Sequence, residues 1–382
     1  MINRRILRIK AFQQLYAFQI KEQALVKISF DQLNSYFLPD LSLMEPKESQ
    51  TTKLAPGKKQ ANQLLEDYFL KQNPSSNADK LVNTAYLEAK KFFEKGRKEI
   101  IQEGKKDLLR DIENIYKIYL KSLFLLEKIT NLGIWDENRR LLESHVKTSK
   151  FKENQVLKKM NSWDELNHFF ETYQIGMSEE EEIMLRNIFI KEIVKDEAII
   201  NYLPIAGEDL GKDAQILDHI FRKYILSSEK MTTYFEEKDL NWNINREIIK
   251  NLGIKTFKIS DLEELKIQKI GLQWEEDKEF YLELFEKSIE EKEANQEEIS
   301  HHLKNWDLER LALIDSLVME MALTEMVNFP SIPIKVSMNE YIEMTKKYST
   351  PKSSNFVNGI LDTVSNKWIT ERKIRKSARG MV

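Results

Sequence analysis

The 382-residue chain carries 59 Lys and Arg against 62 Asp and Glu, a net charge of −3, so it is not a polycation that coats nucleic acid along its length, and any RNA site must be a local patch. It has no cysteine, which excludes disulfide frameworks and thiolate zinc sites and fits a reducing cytoplasm. Only 11 glycines and 8 prolines with 32% charged residues point to an all-α fold, in one large domain or two modest ones.

The spacing predicts a first helix over residues 3–21. Leu7, Ala11, Leu15 and Phe18 form one apolar stripe, and Ile9, Phe12, Tyr16 and Ile20 form another on roughly the opposite side, the pattern of a helix central to a bundle. Arg4, Arg5, Arg8 and Lys10 precede the first acid, Glu22. They read either as a phosphate-binding arm or as a solvated turn. Cations at a helix N-terminus oppose its dipole unless an anion is nearby, which favours the arm. The Met1-Ile2-Asn3 start lacks the apolar core of a signal peptide and no run is long enough to span a membrane, so a cytoplasmic, soluble chain is expected.

Residues 44–63, with Pro46, Pro56 and Gly57, and residues 71–80, with Pro74, Ser75, Ser76 and Asn77, read as loops or linkers around a short segment, Leu64 to Leu70. From Leu81 to Leu132 the pattern is helical. Its lysines alternate with Glu88, Glu94, Glu99 and Glu103, as on a solvated face, and Ile112, Ile115, Tyr119, Leu123, Leu126 and Ile129 form a buried stripe. Ser162 and Ser178, each followed by acids, mark helix starts. Gly207–Asp213 has the wrong glycine spacing for a phosphate-binding loop, and no strand precedes it; it reads as a turn between helices. Phe221, Lys223, Ile225, Glu229, Asn241, Trp242 and Arg246 recur 64 residues later as Phe285, Lys287, Ile289, Glu293, Asn305, Trp306 and Arg310. This suggests two similar helical units, although chance matching among Lys- and Glu-rich helices competes.

The last quarter holds three apolar-periodic runs, Leu308–Val327, Ile334–Lys347 and one from Ser353, separated by Phe329–Pro333 and Ser349-Thr350-Pro351. Val357, Ile360, Leu361, Val364 and Trp368 form the stripe of the third run. Phe356 lies off it beside Asn355, the serines and Lys352, and reads as a base-stacking platform or as packing on a neighbouring helix. The basic end with Arg372, Lys373, Arg375, Lys376 and Arg379 reads as an RNA-contacting or a disordered tail.

Asn339-Glu340, Glu343, Lys346-Lys347-Tyr348, Ser353 and Phe356–Asp362 resemble the C-terminal signature of the NusB family of bacterial transcription antitermination factors. Trp306, Glu309-Arg310, Asp315, Ala322 and Glu325 fit that family's preceding helix, and Arg4-Arg5, Arg8, Ala11, Gln13 and Leu15-Tyr16 resemble its arginine-rich first helix. The middle is poorly covered. The resemblance implies a helical bundle enlarged by inserted helices: 1–30 the first helix, 31–80 a loop-rich insert, 81–277 inserted helices, and 278–382 the C-terminal unit with its basic tail.

It also implies RNA binding in antitermination, on the boxA element of nascent ribosomal RNA. The partners would be NusE, a small-subunit ribosomal protein, and the RNA polymerase elongation complex. Arg4, Arg5 and Arg8 would hold phosphates, and Tyr16, Asn355 and Phe356 would meet bases or sugars beside Ser353 and Ser354. The helix with Arg310 and Asp315 would face NusE. Two departures stand out. Ser349-Thr350-Pro351-Lys352 replaces glycine and acids, Lys352 adding attraction for phosphate, and Asn355 stands where the family has a cation. The competing reading is a protein-interaction scaffold in ribosome assembly with little RNA affinity. An enzyme is not expected, nor a cofactor or metal: His145, His168, His219, His301 and His302 have no metal-ligand spacing, and no nucleophile elbow or nucleotide loop occurs.

Overall fold

A computed structural model describes residues 4–72, 78–139, 150–269, 274–303 and 311–377. The helices are, in order, α1 (Arg4–Ser35), α2 (Lys47–Phe69), α3 (Lys80–Arg139), α4 (Lys150–Glu153), α5 (Gln155–Asn161), α6 (Asp164–Thr172), α7 (Glu179–Lys191), α8 (Glu197–Tyr202), α9 (Leu210–Ile220), α10 (Glu229–Lys238), α11 (Trp242–Phe257), α12 (Trp274–Glu290), α13 (Lys292–His302), α14 (Leu313–Asn328), α15 (Ile334–Tyr348) and α16 (Ser353–Thr370). No strand occurs among the described residues, and the all-α expectation holds. The chain divides into two compact units, Arg110–Glu275 and Arg4–Leu109 with Glu276–Val382. The long α3 contributes to both.

In the unit that joins the two ends of the chain, α14 is the central helix, buried on every side from Asp315 to Met326. Helices α1, α13, α15 and α16 pack around it. The first stripe of α1 is wholly buried, whereas the second leaves the core after Phe12, exposing Tyr16 and Ile20. The stripe of α16 is buried from Val357 to Trp368 as its period predicts.

Residues 47–69 form a helix where the proline- and serine-rich composition reads as a loop. Ala61, Leu64 and Leu65 pack on Leu33, Phe37, Val82, Ala85 and Ala89. Tertiary burial outweighs the break at Pro56, which lies on the exposed face. Pro74 to Asn77, also read as linker, lie outside the described residues. The charged face of α3 carries the i,i+4 pairs Lys90–Glu94 (4.0 Å) and Lys95–Glu99 (3.8 Å), while Arg97 and Lys105 reach Glu22 of α1 and Glu286 of α12.

The basic end is docked as far as it is described. Lys373 lies over the Trp368 ring, Ile374 is buried, and the Lys376 ammonium donates to the Phe329 carbonyl at 3.0 Å, burial pushing its pKa down to about 8. A disordered tail does not describe this segment up to Ser377, in which Arg372, Lys373 and Arg375 remain exposed; Arg379 lies outside the described residues.

In the unit Arg110–Glu275 the α3 stripe from Ile112 to Ile129 is fully buried. Ser178 starts α7 with a reciprocal capping box to Glu181, and Gly207–Asp209 is the turn before α9. The 64-residue echo extends to structure. Shifted by 64, α9 with the following turn Phe221–Ile225 overlays α12, and α10 overlays α13 within one residue at the N-terminus. The same register is buried in both, in pairs such as Leu217 and Tyr281, Phe221 and Phe285, and Phe235 and Ile299. Asn305, Trp306 and Arg310 lie outside the described residues.

Asp196 caps α8 and is the polar hub of this unit. It accepts from Lys223 Nζ (2.5 Å), Tyr224 OH (2.7 Å), His219 Nε2 (3.1 Å) and the amide of Ala198 (2.8 Å). Burial opposes ionisation, but these donors outweigh it and hold the carboxyl well below the usual carboxylate range. A depressed folded pKa gives stability that is present above the unfolded value, about 4, and is lost as pH falls from there. Asp196→Asn is therefore expected to cost about 1.5–3 kcal/mol at neutral pH, with the gap to the parent chain closing below about pH 4. Denaturant melts across that range check it, and a pH-independent gap refutes the charge-based account.

Candidate nucleic-acid interface

The described site residues lie on α1, on α14 and at the α15–α16 turn of the α14-centred unit. Arg8 lies inside the fold. Its Nε donates to Glu325 Oε2 at 2.6 Å and its Nη2 to Oε1 at 2.8 Å, and both side chains are buried. Ser337 Oγ and Tyr341 OH donate to the same carboxylate at 2.6 and 3.0 Å. Although burial opposes it, the paired carboxylate keeps the Arg8 guanidinium firmly charged. The expectation that Arg8 holds phosphate is thus corrected: a guanidinium with both edges of a carboxylate at hydrogen-bond distance and no solvent access positions α1 against α14 and α15 instead. Lys10 is buried as well.

Arg4 is half committed. Its Nε donates to Asp277 at 3.0 Å, and its guanidinium and that of Arg8 both face the Phe280 ring, at 5.0 and 5.4 Å. Arg5 is the available cation of the cluster. Its side chain is 50% exposed and only loosely paired, 3.9 Å from both Glu340 and Glu343.

Arg5 lies beside Glu340 and Glu343, and Phe12 meets Tyr348 with ring centroids 5.5 Å apart. These contacts make α1 and α15 run in the same direction. Tyr16, one turn past Phe12, therefore projects about 6 Å further towards the α15–α16 turn. Arg5 and Tyr16 are eleven residues apart, which puts them on one face of α1 about 16 Å from each other.

At the α15–α16 turn the hydroxyl of Ser349 donates to that of Ser353 at 3.1 Å, and Thr350 pairs with Ser353 at 2.8 Å. Ser354 is buried and donates to the Pro351 carbonyl at 3.2 Å, so it shapes the turn and does not face a ligand, another correction. Lys352 and Asn355 are exposed, and Phe356 is half-buried, between its two sequence readings. No side chain caps the N-terminus of α16. Lys347 was missed by the sequence reading. It is exposed, lies over the Tyr348 ring at 5.3 Å, and has no carboxylate partner among the described residues. The basic pair in the last turn of α15 was its signal. Asp315, expected to face a partner, is 5% exposed in the first turn of α14, and Arg310 lies outside the described residues.

The α15–α16 part of the site sits within the part of the chain that comparisons recognise. The model of the NusB family matches residues 241–366. A transcription antitermination protein NusB of Bacillus licheniformis is 37% identical over 108 residues, which are 28% of this chain and 84% of the relative. The chain belongs to the NusB family. NusB proteins of Chloroherpeton thalassium and Salinibacter ruber are 42% and 37% identical over 105 residues each, 28% of this chain, and carry the same descriptive name. The chain spans about half the length of the first and 66% of the second. No solved structure matches it. The NusB match thus covers α11 to α16, including the α15–α16 turn, while α1 enters the same unit from the far end of the sequence. Among the described residues no helix is long and apolar enough to cross a membrane.

Proposed function

We propose that this NusB-family chain is a cytoplasmic, non-catalytic RNA-binding factor in transcription antitermination. It engages boxA-type nascent ribosomal RNA together with NusE and acts on the RNA polymerase elongation complex. The reading is supported by Arg5 and Tyr16, exposed on one side of α1, which runs alongside α15 towards the α15–α16 turn, where Lys347, Lys352 and Asn355 are exposed and Phe356 is half-buried beside an uncapped helix N-terminus. Arg5, Lys347 and Lys352 hold phosphates, and Arg4 supports Arg5 from its perch on Phe280. Tyr16 and Phe356 supply ring faces for stacking, and Ser353 and Asn355 supply hydrogen bonds to base or sugar edges.

The test is binding of the purified chain to labelled boxA-type RNA and a scrambled control, with and without NusE, across a salt series. Selective binding that tightens with NusE is expected. Phe356→Ala loses about 1–3 kcal/mol of RNA affinity while the chain stays folded. Arg5→Gln weakens both RNAs and flattens the salt slope by about 0.7. Equal weak binding to both RNAs, unmoved by NusE or either substitution, would make the chain a helical scaffold.

A further inference from the structure

The unit Arg110–Glu275 holds a groove of its own, of about 370 Å³, between the end of α9 and the first half of α11. One wall is His219, Arg222, Lys223 and Ser227; the other is Arg246, Glu247 and Lys250. No apolar side chain lines it, so it suits neither a lipid chain nor an apolar peptide anchor. Four permanent cations face it against one carboxylate, in a chain whose net charge is −3. Three of them lean on acids: Arg222 on Asp218 (2.6 Å), Lys223 on Asp196 (2.5 Å) and Lys250 on Glu247 (3.2 Å). Of those acids only Glu247 lines the groove. Arg246, half-buried in the second wall, has no carboxylate partner among the described residues.

Two features of the backbone bring the walls together. Gly253 lets the Phe221 ring lie directly against α11, so the helices approach closely beside the cations. Residues Phe221–Ile225 form a π turn, with the amide of Leu226 donating to the Phe221 carbonyl at 3.0 Å. Such one-residue expansions re-aim side chains and recur at functional sites. Here the turn carries Arg222 and Lys223. Because only Glu247 among the paired acids lines the groove, the groove itself presents a positive surface that an anion can join. Arg246 and Lys250, one turn apart, are about 6 Å from each other at their Cβ atoms, a step that neighbouring phosphates of an extended strand can follow.

We infer that this groove binds the phosphodiester backbone of single-stranded RNA, giving the chain a second RNA contact outside the α1–α16 site. The inference rests on the RNA-binding reading above. It assigns α9, the turn after it and α11 a role in backbone affinity and not in base selection, because no Phe, Tyr or Trp lines the groove and the His219 ring is held by Asp196.

The experiment uses the full chain and a scrambled single-stranded RNA 20-mer across a salt series, comparing the parent, Arg246→Gln/Lys250→Gln and Phe356→Ala, with inorganic phosphate as a small-anion competitor. Circular dichroism melts confirm that each variant is folded. The double variant is expected to lose about tenfold in affinity at low salt and about 1.4 of the salt slope, for two single-strand phosphate contacts, and to lose equally on a boxA-type RNA. Photocrosslinks from thiouridine-containing RNA should map to residues 219–227 and 246–250 in the parent and in Phe356→Ala. If the double variant binds as the parent does and no crosslink maps there, the groove is refuted and the α1–α16 reading stands. Groove crosslinks with no effect of Phe356→Ala or Arg5→Gln would uphold the groove and remove the other site. A parent chain that binds no RNA, or a groove that binds phosphate alone, overturns the inference, the former together with the antitermination reading.

Discussion

Arg8→Ala is expected to destabilise the α14-centred unit by about 3–5 kcal/mol, the cost of leaving a buried carboxylate without its charge partner. Glu325 is fully buried, and after the substitution Ser337 and Tyr341 are the donors left to it among the described residues. Two neutral donors do not replace a bidentate guanidinium. The exposed Arg5, 3.9 Å from its acids, is the control, and Arg5→Ala should cost no more than about 1 kcal/mol. Removing both charges while keeping an acceptor, Arg8→Met with Glu325→Gln, should recover more than half of the loss. Denaturant melts of the three variants check these values. At temperatures where Arg8→Ala remains folded, its RNA affinity should match the parent's. A stable Arg8→Ala chain that binds RNA poorly would return Arg8 to the list of phosphate ligands.

Gly253→Ala is expected to cost about 1–3 kcal/mol, although alanine favours helix over glycine by about 1 kcal/mol. A Cβ at this position would lie 2.0 Å from Phe221 Cε1 and 2.6 Å from Cδ1. The ring cannot yield, because Phe221 is fully buried and packs on Phe257 with centroids 5.8 Å apart. Either the ring leaves its rotamer or the helices separate, and both lose packing. Phe221→Leu in the same chain should relieve part of the clash. At Gly359 in α16 a Cβ meets nothing within 4 Å, so Gly359→Ala should instead stabilise by about 0.5–1 kcal/mol. Thermal melts distinguish the two signs. A stabilising Gly253→Ala would show that the helix contact there is looser than its geometry.

The helix ends show what could be read directly. Ile334 and Ser353 begin α15 and α16 where the prolines and the periodicity place them, because these boundaries depend on local chemistry. α1 runs on to Ser35, well past the predicted end near Ile20, since Leu25 and Leu33 give it further buried contacts that a short periodic window misses. α2 was illegible for the same reason: its stripe of Ala61, Leu64 and Leu65 is short, and the core it meets comes from α1 and α3. In the site, Tyr16, Lys352 and Asn355 are exposed as a binding role requires, but the sequence could not sort the arginines. Arg4, Arg5 and Arg8 are chemically equivalent on the page, and they differ only in whether Asp277, loose acids or Glu325 stands opposite.

By itself the sequence determined the helical class, the buried stripes of α3 and α16, and the family motif near the C-terminal end, since helical period and short motifs are properties of neighbouring residues. Only the tertiary structure decided that Arg8 is a buried strut, that Arg5 stays exposed beside Glu340 and Glu343, and that Arg222 and Arg246 line one groove. Those facts depend on residues far apart in the chain, and the free energy of a charge is set by what the fold places beside it and by how much water it leaves there.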